Sequence, residues 1–205
     1  MVEFDTSFPC TVCGNCDWET QEKSDKAMLV ECGTCGNIEV VYPKVTVIKG
    51  AVIDETKQYR YSLWRIWDTS KPKITFVMLN GSTADAENDD PTLRRCIGFA
   101  QKWGYGSLEV VNLFGFRTTL PSELKAELYP IGEENEKHII ASLKDADKVI
   151  LAWGTHGKYM NQNQKVERLL KQHGAITYCL GVTSGGYPKH PLYLKNDTVP
   201  IRYIL

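Results

Sequence analysis

Four short hydrophobic runs recur from residue 74 onward, and each ends on a polar residue or a glycine. Residues 74–79 stop at Asn80-Gly-Ser-Thr83, and residues 108–111 stop at Asn112. Residues 149–153 stop at Gly154-Thr-His-Gly157, and residues 176–180 lead to the loop Pro188-Lys-His-Pro-Leu-Tyr-Leu194. Amphipathic stretches near 91–104, 131–145 and 158–173 separate these runs and predict helices. Short apolar strands alternating with such helices predict βαβ units and a parallel sheet buried on both faces. Ahead of them, residues 45–48 and 59–67 are rich in β-branched and aromatic side chains and predict an antiparallel pair at the sheet edge. The expected fold is a three-layer α/β domain with a central four-stranded parallel sheet.

In such a sheet, ligands bind beyond the carboxyl ends of the strands. Asn80, Asn112, Gly154 and the His190 loop would therefore converge on one crevice. Asp90 before Pro91 is a good helix N-cap with proline at the first helical position.

The first residues follow another pattern. Cys10-Thr-Val-Cys13-Gly and Cys32-Gly-Thr-Cys35-Gly are two Cys-x-x-Cys-Gly knuckles about twenty residues apart, with Cys16 as a fifth nearby thiol. Cys10, Cys13, Cys32 and Cys35 can give four thiolates to one tetrahedral zinc, each glycine easing the turn after its second ligand. Cys16 breaks the knuckle spacing and is read as a spare thiol. An all-sulfur set implies structural zinc, and so short a hairpin depends on metal to fold. The expected organisation is a zinc ribbon over 1–43 and an α/β domain over 44–205.

Composition narrows the setting. The chain has 205 residues, 42% hydrophobic, without an apolar stretch near the ~20 residues that span a bilayer. No secretory signal is visible, so a cytoplasmic location without membrane association is expected. The net charge of −1 is unevenly spread: residues 1–58 carry ten acidic and five basic side chains, net −5, and residues 59–205 carry fifteen and nineteen, net +4. The larger part is compatible with a nucleic-acid partner, whereas the acidic ribbon suits a scaffold or a protein partner.

The segments MLNGSTADAENDDPTLRRC, VVNLFGFRT, ILAWGTHG and PKHPLYL resemble a bacterial and phage family catalogued only as a domain of unknown function, over roughly residues 57–195. That family carries proline at the place of Gly81. The same motifs more distantly resemble the uracil-DNA glycosylase superfamily. The resemblance implies that Asn80 positions water, that Asn112 reads a flipped base, and that Trp153-Gly154 lines the site. It also implies that His190-Pro191 stabilises the departing base and grips DNA.

These residue types suit base excision. An asparagine at a strand end offers both a donor and an acceptor to a base edge. An imidazole can donate to a base oxygen as charge develops there. Asn80 can orient water but cannot take its proton, so Asp85, or else Asp89 or Asp90, is the candidate base. Ser82, Thr83 and Arg94 are candidate phosphate or substrate contacts, and Phe114 could stack on a base. The same asparagines would serve equally as turn caps, and Phe114 as core. The leading expectation is a DNA glycosylase-like enzyme acting on an unusual or modified base. The alternatives are a nucleotide- or nucleoside-processing enzyme and a non-catalytic module that binds modified DNA or protein. Walker A, dinucleotide-binding and His-Glu-x-x-His motifs are absent.

Overall fold

The structure is a computed structural model that describes residues 3–24, 27–41 and 47–205. Its chain contacts divide it into two compact units, Met1–Thr46 and Val47–Leu205. The expected boundary at residues 43 and 44 lies outside the described residues, as do residues 45 and 46 of the first strand expected in the larger domain.

In the first unit, β1 (Trp18–Lys23), β2 (Met28–Cys32) and β3 (Ile38–Val41) form an antiparallel sheet in the order β1-β2-β3. Its core is small: Met28, Val30 and Val41, flanked by Phe4, Phe8 and Trp18. The Trp18 indole N–H finds the Phe8 carbonyl at 2.8 Å, which satisfies the polar end of the largest ring in this cluster.

The second unit holds one mixed seven-stranded sheet. Its strands are β4 (Ile48–Ile53), β5 (Arg60–Ile66), β6 (Lys73–Gly81), β7 (Ser107–Arg117), β8 (Ala146–Leu151), β9 (Thr177–Cys179) and β10 (Ile201–Arg202), in the order β10-β9-β8-β6-β7-β5-β4. The β6–β7, β6–β8 and β8–β9 pairs are parallel, so four strands form a parallel centre. β4 and β5 form the antiparallel edge, and β10 caps the other edge antiparallel to β9. The sheet thus has the four parallel strands expected at its centre and an antiparallel pair at one edge, with β10 added at the other. β10 went unforeseen because two exposed residues carry no periodic pattern.

Four helices cover the faces: α1 (Pro91–Lys102), α2 (Pro121–Ala126), α3 (Asn135–Ser142) and α4 (Gln162–Gln172). The α1 residues Leu93, Cys96 and Phe99 pack with Ile74, Phe76 and Met78 of β6. Val77, between Phe76 and Met78, joins the opposite cluster with Leu124 of α2, Ile139 of α3 and Leu170 of α4. That period of two along one strand is what a sheet covered on both faces requires. α2 was missed because six residues are too short for a helical period. α3 begins after Gly132, whose φ of +82° ends the preceding turn. α4 begins late because Met160 and Asn161, at φ 55° and 54°, interrupt the path from a 3-10 turn at Thr155–Asn161. None of the described helices is long and apolar enough to cross a membrane.

Candidate functional site

The four knuckle cysteines meet in the first unit. All four sulfurs lie within 4.8 Å of one another, with Cys10 to Cys35 and Cys13 to Cys32 at 3.6 Å. A tetrahedron of ~2.3 Å zinc–sulfur bonds needs about 3.8 Å between sulfurs. The cluster can therefore hold a metal ion and is compatible with zinc. Cys16 is exposed and outside it.

The two knuckles share one backbone design. Gly14 N–H bonds the Cys10 carbonyl at 2.9 Å, and Gly36 N–H bonds the Cys32 carbonyl at 2.8 Å. Both glycines adopt positive φ, 75° and 72°, where a side chain would be strained. A hydrogen bond from the Cys13 backbone pulls the Cys10 thiol down to about 6, whereas burial and the neighbouring thiols leave Cys13 and Cys35 raised, so the bare cluster shares its protons unevenly.

In the second unit, a cavity of about 210 Å³ opens at the carboxyl ends of β6 and β7. Its walls include Asn80, Ser82, Asp90, Asn112 and His190 from the sequence-derived set, together with Arg60 and Thr118. Asn112 is fully buried, and neither its amide nitrogen nor its oxygen has a hydrogen-bond partner. Its backbone is nevertheless held firmly. The buried Asn135 at the start of α3 donates to the Asn112 and Leu113 carbonyls at 3.0 and 3.1 Å. A buried amide without partners costs about 1–3 kcal/mol, a cost that a ligand or a water pairing with it would relieve.

Asn80 sits where the β6–β7 register shifts, a device that re-aims side chains. Its amide nitrogen donates to the Gly81 and Thr118 carbonyls at 2.9 and 2.7 Å. Its oxygen is left to accept from outside. His190 Nδ1 accepts the Leu192 N–H at 3.4 Å, which puts the proton of the neutral ring on Nε2. Burial holds this imidazole below its ordinary 6.5, against the pull of Asp90. Gly154, at φ 68° and ψ −168°, adopts a conformation that only glycine takes readily, and its N–H bonds the Pro188 carbonyl at 2.8 Å. That bond ties the end of β8 to the histidine loop.

Of the remaining candidates only Asp90 lines the cavity. The Asp85 carboxylate closes its own loop, accepting from Asn88 N at 2.7 Å and Glu87 N at 2.9 Å. Those bonds hold it below the usual carboxylate range, and it does not line the cavity. Asp89 pairs with Arg65 at 2.7 Å. Asp90 is the carboxylate that reaches the wall, while its Oδ1 also caps α1 by accepting Leu93 N at 2.7 Å. Thr83 is exposed, and so is Arg94, whose guanidinium binds the Asp89 carbonyl. Phe114 is core: it packs with Val77 and Ile139, its ring 5.7 Å from that of Tyr159.

Sequence reasoning passed over Arg60 and Asn135. An arginine in an aromatic strand and an asparagine in a polar helix start are ordinary in one dimension, and burial alone distinguishes them. A larger cavity of about 1050 Å³, between Tyr59, Tyr61, Tyr129 and His138, holds none of the sequence-derived residues. It also holds none of the buried unpartnered polar atoms found among the described residues. A third cavity of about 440 Å³ is lined by Asn135 and Gln162, each with an unpartnered oxygen, but by none of the sequence-derived residues; the Asn112 cavity joins the two and carries the functional argument.

Residues 60–192 match a family model described as "Protein of unknown function (DUF1643)". No curated protein and no solved structure matches the chain.

Proposed function

The chain belongs to the DUF1643 family, and we propose that its α/β unit is a DNA glycosylase-like hydrolase that excises an unusual or modified base. The observation that carries this reading is the unpartnered amide of Asn112 on the wall of a cavity shared with Asn80 and His190. Size supports a base over a whole nucleotide. The cavity's 210 Å³ falls below the ~300–1,000 Å³ that drug-sized ligands occupy. Of Ser82, Thr83 and Arg94, only Ser82 lines it, so a phosphate-gathering cradle is lacking among those candidates. The uracil-DNA glycosylase-like fold belongs to the same proposal, and the parallel order of β7, β6, β8 and β9 accords with it.

In this mechanism the DNA swings a base out of its stack and into the cavity. Asn112 pairs with the base edge through its amide N–H and oxygen. Asn80 accepts a hydrogen from the attacking water and orients its oxygen at the anomeric carbon. The carbon–nitrogen bond breaks, its electron pair leaves with the base, and His190 Nε2–H donates to the base oxygen where charge collects. The new carbon–oxygen bond forms from the water, whose proton passes to Asp90. In the first unit, zinc held by Cys10, Cys13, Cys32 and Cys35 would be structural, since an all-sulfur tetrahedron leaves no open position. The acidic ribbon serves as a protein-docking element.

The test is release of free base, followed by mass spectrometry, from oligonucleotides and phage DNAs carrying uracil, mismatches, 5-hydroxymethyl bases and larger modifications. Release by the natural protein, lost in Asn80→Ala and His190→Ala, is the expected result. Absence of release from every substrate by folded, zinc-loaded protein would refute the hydrolase reading.

A further inference from the structure

We propose that the larger cavity of the second unit binds a small organic amine, an apolar or aromatic body with one cationic end, seated among Tyr59, Tyr61 and Tyr129 with its charge toward Glu55 and Glu133. The site stands apart from base excision, since Arg60 and Tyr61 are adjacent on β5 and line different cavities.

The cavity measures about 1050 Å³, at the upper end of the ~300–1,000 Å³ typical of small-molecule sites. Aromatic rings make its body. Tyr59 and Tyr61 stack with centroids 6.2 Å apart, and Tyr61 stacks on His138 at 5.4 Å. The turn after α2 packs directly on the tyrosines: a Cβ on Gly132 would lie 2.7 Å from Tyr61 Cε1 and 2.8 Å from Tyr59 Cδ1. That turn is itself fixed to β7, because Gly115 N–H bonds the Ile131 carbonyl at 2.9 Å and Phe116 N–H the Pro130 carbonyl at 3.0 Å. Tyr59 Oη donates to the Tyr129 carbonyl at 3.1 Å. An occupant therefore meets rings already in place, which lowers the ordering cost of binding. Leu128 and Tyr129 on the same wall are 83% and 77% exposed, apolar surface that an occupant would cover.

Charge decides what kind of body fits. The wall carries the carboxylates of Asp54, Glu55, Glu133 and Glu134 and neither a lysine nor an arginine. Asp54 is taken up by its own turn, accepting the Thr56 and Tyr59 N–H at 3.2 and 2.8 Å, and Glu134 pairs with Lys137. Glu55 and Glu133 are exposed, and their carboxylates have neither a hydrogen bond nor an ion pair among the described residues. Burial, with Lys137 beside it, holds His138 below its ordinary 6.5, so the imidazole adds no cation at neutral pH. Burial raises both tyrosine hydroxyls above their ordinary 10, and Asp54 and Glu133 add to that rise, as a negative field does. A metal ion does not suit this distribution: among the described residues only the cysteine cluster brings its ligand atoms close enough to hold one. Negative charge spread beside an aromatic wall suits an extended organic cation, whose ammonium meets the carboxylates while its body meets the rings. An anionic ligand would meet carboxylates without a compensating cation.

The probes share one ring and one short chain: phenethylamine, a cation at neutral pH, 2-phenylethanol, which is neutral, and 3-phenylpropionate, an anion. Affinities are read from amide shifts of the zinc-loaded full chain in a heteronuclear NMR titration. Two exposed charge contacts predict that the amine binds about two- to thirtyfold more tightly than the alcohol, and the anion more weakly than either. The shifts should centre on residues 128–134. Glu55→Gln combined with Glu133→Gln should bring the amine down to the alcohol, and ~1 M salt should shrink the same ratio. Tyr129→Ala should weaken amine and alcohol alike. All three positions are exposed, so these variants keep the fold. An unchanged ratio in the double variant, no preference for the amine in the natural protein, shifts confined to Asn80, Asn112 and His190, or no binding of any probe overturns the proposal. Failure here leaves the base-release test standing, because the variants touch no residue of the Asn112 cavity.

Discussion

The cysteine cluster and the Asn112 cavity are built from opposite materials. The cluster takes its four groups from two copies of one turn, Cys10–Gly14 and Cys32–Gly36, each closed by the same hydrogen bond and the same positive-φ glycine. The cavity draws on residues 60 to 190, from β5, β6, β7, the start of α1 and the loop after β9. Its polar groups are aimed by bonds between distant segments, such as Asn80 to Thr118, Asn135 to Asn112 and Gly154 to Pro188. The difference teaches where each centre gets its rigidity. A knuckle is rigid through its own backbone, and its sulfurs are placed where one ion could bind all four. A cavity wall is rigid only if the surrounding core holds it, and that core can also bear the cost of polar groups left unpaired.

The comparison can be broken most sharply by removing the metal. Structural zinc contributes on the order of 10–16 kcal/mol to folding in small modules. Among its described residues the first unit has three buried core side chains besides its cysteines, worth about 1.5–3 kcal/mol each. Chelation, or Cys32→Ser, should therefore collapse the amide dispersion of β1–β3 in a heteronuclear NMR spectrum, while exchange protection of β6 and β7 persists. A β1–β3 sheet that survives chelation would show that the metal is not what holds it.

A smaller effect of opposite sign is expected at the cavity. Asn112→Leu replaces two unpartnered buried atoms with a similar volume of hydrocarbon, which should stabilise the second unit by about 1–3 kcal/mol while abolishing ligand binding. Thermal denaturation checks it: the variant should melt higher by about 2–4 °C per kcal/mol. A lower melting temperature would mean that the amide is satisfied in solution and that the cavity is not held open at a cost.

The smallest expected effect is with pH. Burial places His190 below its ordinary 6.5 in the folded chain. Between the folded and unfolded values the unfolded state binds more protons, so stability is complete above about pH 6.5 and is lost as pH falls from there toward the folded value. The natural protein should lose melting temperature over that range more steeply than His190→Gln. Identical slopes would show that His190 is already as easily protonated in the folded state as in the open chain.

Much of this arrangement was legible before any coordinates. Knuckle spacing, the Asp90–Pro91 cap and the four central strands are written in contiguous residues, because each depends on a local turn, a local cap or a short apolar run. Residue pattern also drew Asn80, Asn112, Gly154 and His190 toward one crevice, since parallel strands end on the same side, although Gly154 does not line the cavity itself. Which acid reaches the wall was not legible. Asp85, Asp89 and Asp90 are near neighbours in sequence, and only the loop's path turns the first inward on itself, pairs the second with Arg65 and leaves the third at the cavity. Phe114 follows the same rule, since the packing of α3 beneath β7 makes it core. Arg60 and Arg65 mark the limit. Both are arginines of one strand, and only long-range contacts saturate one and leave the other with a free N–H. Sequence by itself determined the four-cysteine cluster, the capped helix and the strand ends, because those follow from spacing along the chain. Tertiary structure alone decided which polar groups go unpaired, because hydrogen-bond saturation depends on neighbours that lie tens of residues away.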